Sequence, residues 1–184
     1  MSLGRFLTTV VGLLDEAGVP YMLTGSLAAA YYASPRATQD VDVVIEVDDP
    51  SLERLVEGML LEGYYVDVGA AREALRSRGQ FNAIDPESGW KVDLIVRKNR
   101  PFSEVEFRRR RSVELFGVEV SLTSLEDLAI AKLEWSKLDD SELQRRDVLL
   151  LLERAGDRLD RAYVEEWVAE LGLDGEWAGV QARL

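Results

Sequence analysis

The sequence predicts an α+β fold: a mixed, partly antiparallel sheet with helices on one side, followed by a helical C-terminal subdomain. Three observations carry this. Short β-branched segments alternate with amphipathic helical ones over roughly residues 1–120. Two pairs of strand-like segments are close enough to form hairpins. After Thr123 the pattern turns helical to the end of the chain. The expected division is therefore an α/β core at 1–120 and a helical part at 121–184 packed on it, with a cleft between them.

Phe6, Val10, Val11, Leu13 and Leu14 recur at helical spacing, and Gly18 and Pro20 end that helix. Tyr21 to Leu23 is a short strand, and Leu27 to Ala33 a short buried helix stopped by Ser34-Pro35. Asp40 to Val47 is a β-branched strand. Asp48-Asp49-Pro50-Ser51 is a turn and helix start, and Leu52 to Glu62 continues as an amphipathic helix to Gly63. Tyr64 to Val68 reads as a strand. Gln80 to Ile84 and Lys91 to Val96 form one hairpin around Asp85-Pro86-Glu87-Ser88-Gly89. Val113 to Leu115 and Val118 to Val120 form another around Phe116-Gly117. Ser124, with Asp127 three residues on, opens a helix running to about Leu138. Glu142 to Arg154 and Asp160 to Leu171 are further helices.

Composition removes several kinds of chemistry. The 184 residues carry 22 Lys and Arg against 34 Asp and Glu, a net charge of -12. Such a field repels nucleic acid at long range, although a local basic strip can still serve a nucleic-acid substrate. There is no Cys and no His. Disulfides, thiolate or imidazole metal sites, His bases and Ser-His-Asp triads are therefore excluded. Any metal has oxygen ligands, which suits Mg²⁺ or Mn²⁺. No signal peptide or membrane-spanning stretch is seen, so a cytoplasmic protein without membrane partners is expected.

The chemistry concentrates in three places. Asp40 and Asp42, two apart on a strand, project from one face about 6.5 Å apart, with Val41, Val43, Ile45 and Val47 on the other. Two like charges at the start of a central strand are costly unless neutralised, and a divalent cation would do so. Asp93 sits in the strand Lys91-Val92-Asp93-Leu94-Ile95-Val96; if this strand lies beside the first, it completes a three-carboxylate cluster. Upstream, Thr24-Gly25-Ser26 joins a strand to a helix. Glycine admits a phosphate close to the backbone, and the helix N-terminus offers free N–H groups. Each feature alone has a bland reading: a turn, a solvated strand end, an edge residue. In this order and spacing they fit in-line transfer of a phosphoryl or nucleotidyl group.

The stretch LTGSLAAAYYASPRATQDVDVVIEV resembles the signature of the nucleotidyltransferase superfamily that shares the polymerase-beta-like fold. That signature is a hydrophobic strand, Gly-Ser, a helix, Asp-x-Asp on the next strand and a later single Asp. Arg36 to Asp42, Ser124 to Leu128 leading to Lys132, and Arg146-Asp147 resemble the AbiEii/MenT branch of toxin-type nucleotidyltransferases. The resemblance covers about residues 20–150. It implies that Gly25 and Ser26 hold the triphosphate of an NTP and that Asp40 and Asp42 bind Mg²⁺ (or Mn²⁺). It implies that Asp93 is the third carboxylate and helps deprotonate an acceptor hydroxyl. Lys132 would reach the triphosphate, Asp147 would lie on the cleft wall, and Arg36 and Thr38 would position phosphate or the metal loop. An antitoxin protein is an implied partner.

Several of these residues have a second reading. Lys132, in an otherwise apolar helix segment, either serves the site or snorkels to solvent. Asp147 pairs with Arg145 or Arg146 on the surface if it is not in the cleft, and Arg36 with surface acids. Arg108 to Arg111, the one dense basic run, either guides an RNA acceptor or the nucleotide's phosphates, or is a set of alternate arginines on an exposed strand. Trp135 and Tyr31-Tyr32 read as core before they read as base-stacking groups, and Trp167 and Trp177 as packing for the C-terminal helices or an oligomer contact. Three functions follow. One is transfer of NMP from an NTP to a hydroxyl on RNA (tRNA), protein or a small molecule. The second is a nucleotide-binding or interaction module of the same fold without turnover. The third, a sugar-nucleotide glycosyltransferase, is disfavoured by the short chain and the Gly-Ser turn.

Overall fold

The computed structural model describes residues 2–33 and 39–184. Arg36 and Thr38 of the expected site, and the Ser34-Pro35 stop, lie outside the described residues. The chain forms a mixed sheet of β1 (Tyr21–Leu23), β2 (Asp40–Ile45), β3 (Tyr65–Val66), β4 (Gln80–Ile84), β5 (Lys91–Val96), β6 (Arg111–Leu115) and β7 (Val118–Leu122). Their spatial order is β3-β4-β5-β2-β1-β7-β6. Helices α1 (Leu3–Ala17), α2 (Gly25–Tyr32), α3 (Asp49–Leu61), α4 (Val68–Ser77) and α5 (Pro101–Arg108) are interleaved with the strands. Then follow α6 (Leu125–Asp139), α7 (Glu142–Ala155), α8 (Arg161–Glu170) and α9 (Asp174–Gln181).

Both hairpins expected from sequence form, β4 with β5 and β6 with β7, each antiparallel. β2 lies in the middle, parallel to β5 and antiparallel to β1. Its alternation explains the position. Val41, Val43 and Ile45, with Val92, Leu94 and Val96 of β5, are all 0% exposed. They share one core with Phe6, Leu7, Val10 and Leu14 of α1 and Leu52, Leu55 and Met59 of α3. Burying one such side chain stabilises by about 1.5–3 kcal/mol, enough to fix the strand register. The opposite pleat (Asp42, Val44, Asp93, Ile95) is left for the cleft. Leu128, Ala129 and Leu133 of α6 and Val148 and Leu151 of α7 belong to the same apolar core, so the C-terminal helices pack directly on the α/β part. Among the described residues, no helix is long and apolar enough to cross a membrane.

The helix starts have local causes. The Asp48 side chain accepts from Ser51 N–H while the Ser51 hydroxyl oxygen accepts from Asp48 N–H, a reciprocal cap with Pro50 in the first turn. Ser124 caps α6 by accepting from Asp127 N–H.

Three expectations change. The strand over Tyr64 to Val68 shrinks to Tyr65–Val66, because Asp67 caps a helix by accepting from Ala70 N–H. Helices α4, α5 and α9 were not foreseen. The four arginines are not an exposed strand: Arg108 ends α5, Arg109 follows as its C-cap, and Arg111 opens β6. Arg109 turns inward, stacked 3.9 Å over the Tyr163 ring and paired with Glu126 and Asp127. Arg110 lies over Phe107. The run makes no continuous basic strip.

Candidate active site

The parallel register of β2 and β5 sets Asp42 beside Asp93 and Asp40 beside Lys91. Because residues two apart share a face, these four side chains form a two-by-two array on the cleft side of the sheet. The Lys91 ammonium lies 2.9 Å from Asp93 Oδ2 and 3.5 Å from Asp40 Oδ1. Sequence reasoning passed over Lys91, although its place two residues before Asp93 was the available signal.

Gly25 explains how the turn between β1 and α2 reaches this array. Its φ is +64°, and a Cβ built on it would stand 1.9 Å from Asp42 Oδ2. Only glycine lets β1 turn into α2 so close to that carboxylate. Thr24 N–H donates to the Asp42 carbonyl at 2.9 Å, and Ser26 N–H donates to Asp42 Oδ2 at 3.4 Å. The turn is thus tied to the array through both backbone and side chain of Asp42.

Above the array, α6 brings Lys132, which is 4% exposed. It does not snorkel to solvent. Its ammonium donates to Asp147 Oδ2 at 2.8 Å and to Gln144 Oε1 at 2.9 Å. Asp147 is therefore held by Lys132, while Arg145 pairs with Asp140 and Glu142. Gly25, Ser26, Asp40, Asp42, Asp93, Lys132 and Gln144 line one cavity of about 360 Å³. Trp135, one turn on from Lys132, lines it too and is 45% exposed, so it is cleft wall and not core. Tyr31 is likewise exposed, whereas the Tyr32 hydroxyl donates to the Thr123 carbonyl. Trp167 packs on Phe102, and Trp177 is buried in the C-terminal core.

No protein-family model matches the chain, and no curated protein matches it. Solved structures do. The antibiotic-resistance factor ANT(2'')-Ia in its solution structure superposes with a TM-score of 0.61 at 14% identity, over 98% of this chain and 95% of that one. Its crystal structure with adenylyl-2''-tobramycin gives 0.60 at 12%, over 100% and 99%. The lincosamide antibiotic adenylyltransferase LnuA, lincomycin-bound, gives 0.55 at 13%, over 80% and 94%. An antigenic nucleotidyltransferase-like protein from Paracoccidioides brasiliensis gives 0.54 at 20%, over 80% and 74%.

The chain has the nucleotidyltransferase fold.

Within this nucleotidyltransferase fold the charges around Asp42 are unbalanced. Burial raises its pKa, and the neighbouring Asp93 and Asp40 add to the shift, against the Ser26 N–H and Lys132. The Lys91 pKa is raised, chiefly by its hydrogen bond to Asp93. An all-oxygen donor set with excess negative charge at Asp42 fits a hard cation. As the side chains stand, no three acidic groups among the described residues converge as a ready-made cation cage; Lys91 stands between Asp40 and Asp93.

Proposed function

We propose that the chain is a metal-dependent nucleotidyltransferase moving NMP from an NTP to a hydroxyl acceptor. One observation carries the reading. Asp40, Asp42 and Asp93 stand on one face of β2 and β5, and they share a cavity with the Gly25-Ser26 turn and a buried lysine.

Asp40 and Asp42 would hold Mg²⁺ or Mn²⁺, with Asp93 as the further carboxylate. When bound, the cation withdraws negative charge from the triphosphate and the departing pyrophosphate. The chain's own groups supply the rest. The Gly25-Ser26 turn and the first N–H groups of α2 receive phosphate oxygens. Lys132, fixed by Asp147 and Gln144, places a point charge beside the same phosphates. Asp93 takes the proton of the acceptor hydroxyl as its oxygen bonds to the α-phosphorus. The bond from that phosphorus to the pyrophosphate oxygen breaks, and NMP is left on the acceptor.

A small hydroxyl-bearing acceptor is favoured over RNA. The net charge is -12, and Arg109 and Arg110 are engaged within the protein. Proteins of the same fold are described in complex with adenylyl-2''-tobramycin and with lincomycin. The toxin role, with an antitoxin partner, goes with a tRNA or protein acceptor instead. The test is NTP labelled at the α-phosphate, incubated with Mg²⁺ or Mn²⁺ and a panel of aminoglycosides, lincosamides, tRNA and protein. Label should move to a small acceptor with pyrophosphate release, and Asp93→Asn should abolish it. Labelled tRNA would shift the reading to the toxin class. Nucleotide binding without transfer to any acceptor would favour a binding module of this fold.

A further inference from the structure

The array of β2 and β5 holds three carboxylates and one ammonium. Lys91 is not an accidental neighbour, because the strand register fixes it beside Asp40 and the pleat fixes it on the face of Asp93. Its ammonium reaches both carboxylates, and the closer contact is with the better shielded one: the Asp93 side chain is 16% exposed and that of Asp40 53%. An ammonium and a hard divalent cation seek the same carboxylate oxygens, and they repel each other at contact distance.

We propose that Lys91 is a built-in counter-ion that competes with divalent metal for Asp93. This rests on the reading of the cavity as a metal-dependent transfer site. A first cation takes Asp40 and Asp42, leaving the array close to neutral. A second cation on Asp93 requires Lys91 to swing away, and the negative charge of an arriving triphosphate favours that exchange. The resting protein therefore holds one divalent cation, and Asp93 stays anchored to Lys91 until nucleotide arrives. Lys91 is a positioning residue here and touches no reacting atom.

The test is a Mn²⁺ titration of nucleotide-free protein, read as the disappearance of the free-ion electron paramagnetic resonance signal. It compares wild type with Lys91→Met and Lys91→Arg. Wild type should take up one Mn²⁺. Lys91→Met, which keeps the stem and removes the charge, should bind Mn²⁺ roughly tenfold tighter or take a second ion. Lys91→Arg should follow wild type. If Lys91→Met does not fold, Lys91→Gln replaces it. A Lys91→Met curve that coincides with wild type, or is weaker, overturns the counter-ion role while leaving the transferase reading intact, provided that Asp42→Asn abolishes binding in wild type. Absence of Mn²⁺ uptake in every variant, with and without NTP, overturns both.

Discussion

At the scale of single residues, Gly25 is the position on which the site depends most sharply. A left-handed backbone costs a non-glycine residue roughly 1–2 kcal/mol, and at Gly25 the added Cβ also collides with Asp42. Gly89, with φ +74° and nothing near its would-be Cβ, provides the control. Gly89→Ala should lose stability through strain alone, a Tm drop of roughly 2–8 °C, with nucleotide binding unchanged. Gly25→Ala should lose both. Thermal denaturation beside nucleotide titration separates the two, and intact binding in Gly25→Ala would refute the account of the turn. Asp40, Asp42, Gly25 and Asp93 were legible in sequence because each is a polar or glycine interruption in an apolar pattern. Lys91 was not, because a lysine at a strand start looks like solvation until the neighbouring strand and its register are known. The burial of Lys132 was undecidable for a related reason: its partners Asp147 and Gln144 lie on a different helix.

At the scale of elements, α5, α6 and α8 are joined around Asp127, which is 0% exposed. It accepts from Tyr163 Oη at 2.5 Å, Ser124 Oγ at 2.6 Å and Arg109 Nε at 3.1 Å. Removing Asp127 takes this acceptor from the Tyr163 and Ser124 hydroxyls and leaves Arg109 with Glu126 alone. Asp127→Ala should therefore cost about 3–5 kcal/mol, on the order of 10 °C in Tm for a chain of this size. Tyr163→Phe should cost only about 1 kcal/mol. Equal, small losses in calorimetry would contradict the network. Helix α5 escaped sequence reading because it is short and runs into the arginines, although Pro101 at its first turn was a start signal. The same helix carries Glu106, whose pKa is pushed up to about 8 by burial, with Asp127 adding and Arg100 opposing. Between the ordinary carboxyl pKa of about 4.3 and that value, the folded state keeps a proton that the unfolded chain gives up. Glu106 thus erodes stability as pH rises through this window. Glu106→Gln should match wild-type Tm near pH 4 and exceed it increasingly up to pH 8. A constant offset across pH would show that folding leaves the Glu106 pKa unshifted.

At the scale of the molecule, the two hairpins and the central strand were legible because β-branched alternation records which face is buried. The order of strands was not, since β1 is only three residues long and pairs with β2 and β7 across large sequence separations. The cleft arises from that order: it brings β2 and β5 side by side and leaves their polar pleat facing α6. With a charge of -12 and the arginine run partly folded inward, the molecule should bind tRNA weakly at physiological salt. A gel-shift titration showing tight, salt-sensitive tRNA binding would reverse the preference for a small acceptor. The central claim is that this cleft binds a nucleoside triphosphate through a carboxylate-held cation. Calorimetric titration of a non-hydrolysable NTP analogue, with and without Mn²⁺, into wild type and Asp42→Asn tests it most directly. The account predicts saturable binding to wild type that needs Mn²⁺ and weakens at least about tenfold in Asp42→Asn, a loss of roughly 1.4 kcal/mol or more. Absence of binding to wild type, or binding indifferent to both Mn²⁺ and Asp42, would contradict it.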